Sequence, residues 1–241
     1  RAAQSGDAEV AHRAQELVEK IDPDGTALRR LARKIEVDEG RPDEPITRLT
    51  LYGIFYEADL AHLEHLDSLL KLELWEETIS DAGVAHVQGL KHLRELSLAR
   101  TSVTDKGLAA LDSLTDVEFL DLCKTPIKGD GLKHLQGMDK LCVLYLDRTG
   151  VTDDGLKHVE GLTGLAVLRL AHTKVTDAGL KHLKGLHDLR LLDLSHTQVT
   201  DEGLSNLAGL HELRRLDVLG TAVTPEGLAE LAKSLPQLKK P

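Results

Sequence analysis

The chain has 241 residues, enough for one elongated domain or two compact ones, and Lys+Arg 30 against Asp+Glu 40 leaves a net charge of -10. That charge repels a phosphate backbone, so nucleic acid is not expected as a partner. With 41% hydrophobic and 29% charged residues the composition is that of a folded globular chain, and no run approaches the ~18 apolar residues of a membrane span. Arg1 to Gly6 carry neither an initiator methionine nor an apolar signal core, so an excised or processed piece is expected. Aromatic residues make only 2%, and something else must fill the interior.

In chain order, Val10, Ala14, Leu17, Val18 and Ile21 fall on one face of a predicted helix, and Asp22-Pro23-Asp24-Gly25 form a turn. Leu28, Leu31, Ala32 and Ile35 line a second helix. Ile35 and Val37 then alternate, and Gly40, Pro42 and Pro45 loop back to Ile46, which predicts a short strand antiparallel to the one that follows. The Asp-x-Asp-Gly quartet is not a calcium loop, because Leu31 or Arg33 stands where the closing glutamate belongs.

Ile46, Leu49, Leu51, Leu60, Leu63 and Leu66 open a repeat one residue shorter than the rest, and from Leu69 the period is 24 residues. Counting Leu69 as position one, that column reads Leu69, Leu93, Val117, Leu141, Leu165, Leu189 and Leu213. Positions four and six repeat leucine from Leu72 and Leu74 to Leu216 and Val218, which is strand alternation. A threonine column follows (Thr101, Thr125, Thr149, Thr173, Thr197, Thr221), then a Val-Thr-Asp-x-Gly-Leu turn, as in Val175 to Leu180, and apolar residues at helical spacing. Each unit therefore predicts a strand, a turn and a short helix.

The unit LxxLxLxxTxVTDxGLxxLxxL resembles the leucine-rich-repeat family, with threonine where asparagine or cysteine is usual. The VTDxGL turn looks most like the bacterial 24-residue class related to the cysteine-containing repeats of the F-box substrate receptors of ubiquitin ligases. The resemblance implies an α/β leucine-rich-repeat solenoid, a horseshoe with a parallel concave sheet, convex helices and an N-terminal helical cap. Residues 46–241 are then about eight coils, and residues 1–45 the cap that covers the first of them.

The threonine hydroxyls are expected to bridge to the next coil's loop, and Asp81, Asp105, Asp153, Asp177 and Asp201 to cap the helices they precede. Gly89, Gly137, Gly161, Gly185 and Gly209 are expected as left-handed helix terminators. Two units depart from the pattern. Ile127-Lys128-Gly129-Asp130-Gly131 deletes the cap and is expected to loosen its coil, and Val223-Thr224-Pro225 puts proline at the cap position. Ser234-Leu235-Pro236 then adds one residue, and the array is expected to end there.

Chemistry is sparse in this grammar. Of 12 histidines, His86, His134, His158 and His182 share one outward helical column, too widely spaced for a common metal, and His62 and His65 lack further ligands nearby. Cys123 and Cys142 sit in different columns of neighbouring strands, about 16 Å apart, and should be free thiols. Lys124 is expected to point away from Cys123, leaving it without an activating partner. No hydrolase, zincin, Walker or dinucleotide motif is present, so no enzyme, catalytic residue, metal or cofactor is expected.

What remains is the surface written onto the repeats, where positions three, five and eight look outward on the concave side. Position three reads Lys71, Glu95, Phe119, Val143, Val167, Leu191 and Arg215; position five Glu73, Ser97, Asp121, Tyr145, Arg169, Asp193 and Asp217. Position eight reads Glu76, Arg100, Lys124, Arg148, His172, His196 and Gly220. An apolar stripe borders a basic row. Phe119, Tyr145, Val143, Val167 and Leu191 are expected to contact a protein or peptide, with Arg100, Lys124, Arg148 and Arg169 meeting an acidic partner. The bland alternative is that strands favour such residues on any face or that another segment covers the stripe. Trp75, with Tyr52, Phe55 and Tyr56, is expected to pack between cap and first coils. The chain is thus read as a monomeric, non-enzymatic interaction module. Its rival is the recognition part of a larger assembly, a ubiquitin-ligase-like receptor or bacterial effector, although no F-box-like or catalytic segment lies in these residues.

Overall fold

Leucines at positions four and six must leave water together, and a strand of three residues can bury them only by stacking on its copies. The computed structural model describes residues 48–52, 60–61, 63–64, 66–75 and 78–239, and for residues 51 and 52 the backbone alone. The expected cap over residues 1–45, with its two helices and antiparallel strand, lies outside the described residues, as do Phe55, Tyr56, His62, His65 and Glu76. Eight strands stack in sequence order: β1 (Arg48–Tyr52), β2 (Lys71–Trp75), β3 (Glu95–Ser97), β4 (Phe119–Asp121), β5 (Val143–Tyr145), β6 (Val167–Arg169), β7 (Leu191–Asp193) and β8 (Arg215–Asp217). All neighbours are parallel. Leu49 pairs with Leu72, 23 residues on, whereas Leu72, Leu96, Leu120 and the rest pair at 24, so the first coil is one residue short as expected.

The side chains alternate as the pattern requires: in β4 to β7 the central leucine is buried and its two neighbours are half-buried. Leu72, Leu96, Leu120, Leu144, Leu168 and Leu192 are 0% exposed, each continuing the core of the coil before. On the other side of the coil the chain returns through single helical turns, α1 (Asp81–Val84), α2 (Asp153–Leu156), α3 (Asp177–Leu180) and α4 (Asp201–Leu204). Stretches of 3-10 helix stand there in the third and fourth coils, Gly107–Leu111 and Asp130–Leu135. The last coil has a full helix, α5 (Pro225–Ser234), with Thr224 as its N-cap and Pro225 at its first turn, so proline follows the cap rather than replacing it.

Two polar columns bond differently from the sequence expectation. Each threonine hydroxyl donates within its own coil, to the carbonyl three residues back: Thr101 to Leu98, Thr125 to Leu122, Thr149 to Leu146 and Thr173 to Leu170, all at 2.7 Å. That closes the bend after the strand, so no bridge to the next coil forms. The bridging belongs to the aspartates. The α1, α3 and α4 caps are Ser80, Thr176 and Thr200, whose hydroxyls accept from the amide two residues on. The Asp177 carboxylate instead accepts from the Thr200 amide at 2.8 Å and hydroxyl at 2.7 Å, one coil further. Asp81, Asp153 and Asp201 hold Thr104, Thr176 and Thr224 in the same way. An aspartate therefore steadies the cap of the following helix, and the carboxylate occupies the space beside the next coil's glycine.

The irregular fourth coil shows the same logic shifted. Asp105 accepts from the amides of Lys128, Gly129 and Gly131, so this coil keeps its support from below. Gly129 stands where the next carboxylate would, at φ 123°, and a Cβ there would come within 2.5 Å of Gly155 Cα. Direct backbone contact replaces the aspartate at that junction, and the β4–β5 register runs on unbroken.

Asp177→Ala, which leaves the Thr200 amide and hydroxyl without their acceptor, is expected to cost about 0.5–2 kcal/mol in a urea titration, the range for losing a cap. The Asp201 rung also makes stability acid-sensitive. The Thr224 hydroxyl, then its amide, hold the Asp201 carboxyl below its ordinary value. Its contribution is thus present above the unfolded pKa of about 3.9 and is lost as pH falls through the lowered folded value. A urea midpoint that falls further between pH 5 and 3 in the parent than in Asp201→Asn is expected; an equal fall in both would contradict this role of Asp201.

Candidate functional site

The parallel register carries positions three and five into two straight rows across the sheet, Phe119 beside Val143, Val167 and Leu191, and Asp121 beside Tyr145, Arg169 and Asp193. All of these side chains are half-buried, which leaves this face partly open to solvent. Phe119 and Tyr145 meet edge to face, with ring centroids 5.2 Å apart and planes at 78°. The Arg169 guanidinium lies 5.0 Å over the Tyr145 ring.

Arg169 is not an open charge. Its Nε donates to Asp147 Oδ2 at 2.8 Å and approaches Asp193 Oδ2 at 3.7 Å. Asp147, at position seven, is the residue sequence reasoning passed over, and its place follows from a bonding rule in this face. In most coils the position-five side chain accepts the amide at position seven: Asp121 from Cys123, Asp193 from Ser195 and Asp217 from Leu219. Where position five is Arg169 no acceptor is available, and Asp147 of the preceding coil supplies it, taking the Ala171 amide at 2.9 Å. Asp147 is buried, and that burial pushes its carboxyl upward against the Ala171 and Arg169 contacts. The signal was in the sequence: the one coil with arginine at position five follows the one coil with aspartate at position seven.

Cys123 donates its thiol toward Asp147 Oδ2 at 3.5 Å. Burial, then Asp121 and Asp147, push the thiol far above its normal range, which disfavours the thiolate. Cys123 and Cys142 are both free.

Position eight holds a second surprise. Arg100, Lys124, Arg148, His172 and His196 all adopt left-handed backbones, φ 57° to 63°, and Gly220 follows at φ 72°. The expected terminators Gly89, Gly137, Gly161, Gly185 and Gly209 are not left-handed. The turn after the strand needs the inverted residue, and in five coils a side-chain-bearing residue accepts it because its amide is held by the next coil: Lys124 N donates to Asp147 O at 2.9 Å and Arg148 N to Ala171 O at 2.8 Å. These five side chains are exposed, and among the described residues none of the three cations lies within ion-pair distance of a carboxylate. Arg148 Nη2 donates to His172 Nε2 at 3.2 Å, and the His172 and His196 rings stack 4.2 Å apart at 10°.

On the convex side the histidine column meets acids of the coil before, His86 with Glu64 at 2.7 Å, His134 with Asp112 at 2.9 Å and His182 with Glu160. Among the described residues no three His, Cys, Asp or Glu side chains converge as metal ligands would. Trp75 is 43% exposed rather than packed away, and the other members of its expected aromatic group have no described side chains. A cavity of about 470 Å³ lies in the last of these coils, among Leu216, Val223, Leu228, Ala232 and Leu238. There Lys239 N donates to Arg214 O at 2.9 Å, the bond a further coil would make.

A leucine-rich-repeat family model matches residues 89–111 and 185–208. Internalin C2 of Listeria monocytogenes is 28% identical, with a TM-score of 0.64 over 77% of this chain and 77% of that one. The fold is a leucine-rich-repeat solenoid. The same solenoid recurs in a leucine-rich-repeat protein of Leptospira interrogans, at 21% identity and TM-score 0.60 over 74% of this chain and 44% of that one. It recurs again in the plant peptide hormone receptor RGFR1 in complex with RGF2, at 16% identity and TM-score 0.55 over 80% and 31%. No curated protein matches this chain. Leucine-rich-repeat proteins typically mediate protein–protein interaction, and no catalytic family is indicated. Among the described residues no helix of this solenoid is long and apolar enough to cross a membrane.

Proposed function

We propose that the solenoid is a non-enzymatic interaction module whose concave face takes up a protein or peptide. Phe119, Tyr145, Val143, Val167 and Leu191 are its apolar contacts, and Arg100, Lys124 and Arg148 meet acidic groups of the partner. The observation that carries this reading is the edge-to-face Phe119–Tyr145 pair, half-open on the inner face and braced by Arg169, in a protein whose described core is wholly aliphatic but for one methionine. Aromatic side chains set in a rigid frame make good anchors because little conformational freedom is lost when a partner covers them. Arg169 acts here as the support of Tyr145 rather than as a free charge. The solenoid shared with a peptide hormone receptor supports the reading at the level of fold alone. Kinship with the bacterial VTDxGL class, and service as the recognition part of a larger catalytic assembly, rest on the turn motif only.

The test is a displayed random-peptide library selected on the immobilised chain. Enriched peptides are expected to bind Phe119→Ala/Tyr145→Ala at least tenfold more weakly than the parent, while the convex variant His134→Gln binds them unchanged. Enriched peptides indifferent to the double variant would place binding elsewhere and refute the concave reading.

A further inference from the structure

The row at position eight has a property that the apolar stripe does not share: it changes charge near neutral pH. Lys124, Arg148, His172 and His196 follow one another on successive coils, spaced by about 4.8 Å per strand. Their left-handed backbones repeat, so the side chains leave the turn in the same direction in every coil. Arg148 donates to His172 Nε2, which requires that ring to be neutral, its proton on Nδ1. His172 in turn stacks on His196. His196 lies against Gly220, where a Cβ would meet its Nδ1 at 2.5 Å, so the next coil leaves the ring its room.

Resting on the concave reading, we infer that position eight is the contact strip for an extended acidic protein segment, and that binding it loads a proton onto His172. Charge complementarity points to that occupant: Arg100, Lys124 and Arg148 are exposed and, among the described residues, lie beyond ion-pair distance of any carboxylate, Arg148 bonding the neutral His172 ring, while the neighbouring carboxylates are held in place by internal hydrogen bonds. Asp121 and Asp193 accept position-seven amides, and Asp147 takes Ala171 and Arg169. From Arg100 to His196 the strip spans about 19 Å, the length of some six extended residues. A nucleic acid would want faces to stack on as well as cations, and the strip offers only the edges of two rings already stacked on each other.

The pH dependence follows from the groups around His172. Arg148 and Asp147 face it from the coil before, His196 and Asp193 from the coil after. Loss of hydration first, then Arg148 and His196, hold the imidazole below its ordinary pKa despite the two aspartates. A carboxylate laid beside Arg148 and His172 offsets the repulsion that keeps the ring neutral, so the bound state holds more protons than the free one. By linkage, affinity must then rise as pH falls.

Hexaglutamate is the probe, because it carries the charge without an apolar anchor and so reads this strip independently of the Phe119–Tyr145 pair. Calorimetry at pH 7.5 and 5.5, in two buffers of different ionisation heat, is expected to show at least fivefold tighter binding at the lower pH with net proton uptake. Arg148→Gln should abolish binding at both pH values. His172→Asn/His196→Asn should keep the binding at pH 7.5 and lose the tightening, since asparagine tolerates the left-handed backbone. The convex variant His134→Gln should behave as the parent, and thermal midpoints within 3 °C of the parent establish that each variant is folded. Absent binding, binding equal at the two pH values, tightening that survives the double histidine variant, or tighter binding of hexadeoxythymidylate would each overturn the inference. None of these results touches the library test, which stands on Phe119 and Tyr145.

Discussion

Leu168→Ala is expected to cost about 2–5 kcal/mol of stability, whereas Phe119→Ala, on the opposite face of the same sheet, costs about 1 kcal/mol or less. Leu168 is 0% exposed and lies between Leu144 and Leu192 in a stack of identical residues, so its truncation opens a cavity that neighbours held on both sides cannot close. Phe119 touches Tyr145 edge to face and is otherwise half-open, and losing it forfeits one aromatic contact. In binding the order reverses. A truncated anchor costs on the order of 2 kcal/mol of affinity or more, measured on the folded variant with a library-selected peptide. Stability and affinity must come apart between two residues on neighbouring rows. A Phe119→Ala chain whose urea midpoint falls as far as that of Leu120→Ala would make Phe119 part of the core and end its role as an anchor.

The leucine columns made the fold legible because period and burial are the same fact in a solenoid: a residue 24 positions on occupies the same environment, so Leu96 and Leu120 had to pair. The rows of the concave face follow from that register and needed no further information. What the columns did not show is direction. Thr173 and Asp177 are both small polar groups near a turn, and sequence alone does not tell whether a hydroxyl folds back on Leu170 or a carboxylate reaches forward to Thr200. The backbone decides, through where the free amides of the next coil lie. Position eight was read correctly as outward-facing, but its left-handed backbone was not legible, because arginine and lysine are poor left-handed residues and glycine appears there only at Gly220. Only the amide bonds to the next coil, which sequence does not display, outweigh that preference. Arg169 was offered to a partner because its acceptor, Asp147, stands 22 residues away in another column.

Glycine's role in the repeat gives the second large effect. Gly131→Ala is expected to cost about 1–3 kcal/mol, because a Cβ there would meet Asp105 O at 2.5 Å and Asp105 Cα at 2.7 Å, backbone atoms that cannot step aside without shifting the coil. Gly203 faces a more forgiving obstacle. Its added Cβ would meet Asp177 Oδ1, which can swing away at the loss of its bonds to Thr200, while the nearest backbone atom, Asp177 Cα, stands 3.1 Å off and need give only slightly. Gly203→Ala should therefore cost about as much as Asp177→Ala, about 0.5–2 kcal/mol, and the two changes together little more than either alone. Gly137 has nothing within 4 Å of a built Cβ and no left-handed backbone, so Gly137→Ala is expected to be neutral or to stabilise by a few tenths to about 1 kcal/mol. The ranking Gly131, then Gly203, then Gly137, in urea midpoints, separates close coil-to-coil approach from helix termination as the reason for glycine. If Gly137→Ala were instead the most damaging of the three, these glycines would be terminators after all and the aspartate ladder would not be what fixes the distance between coils.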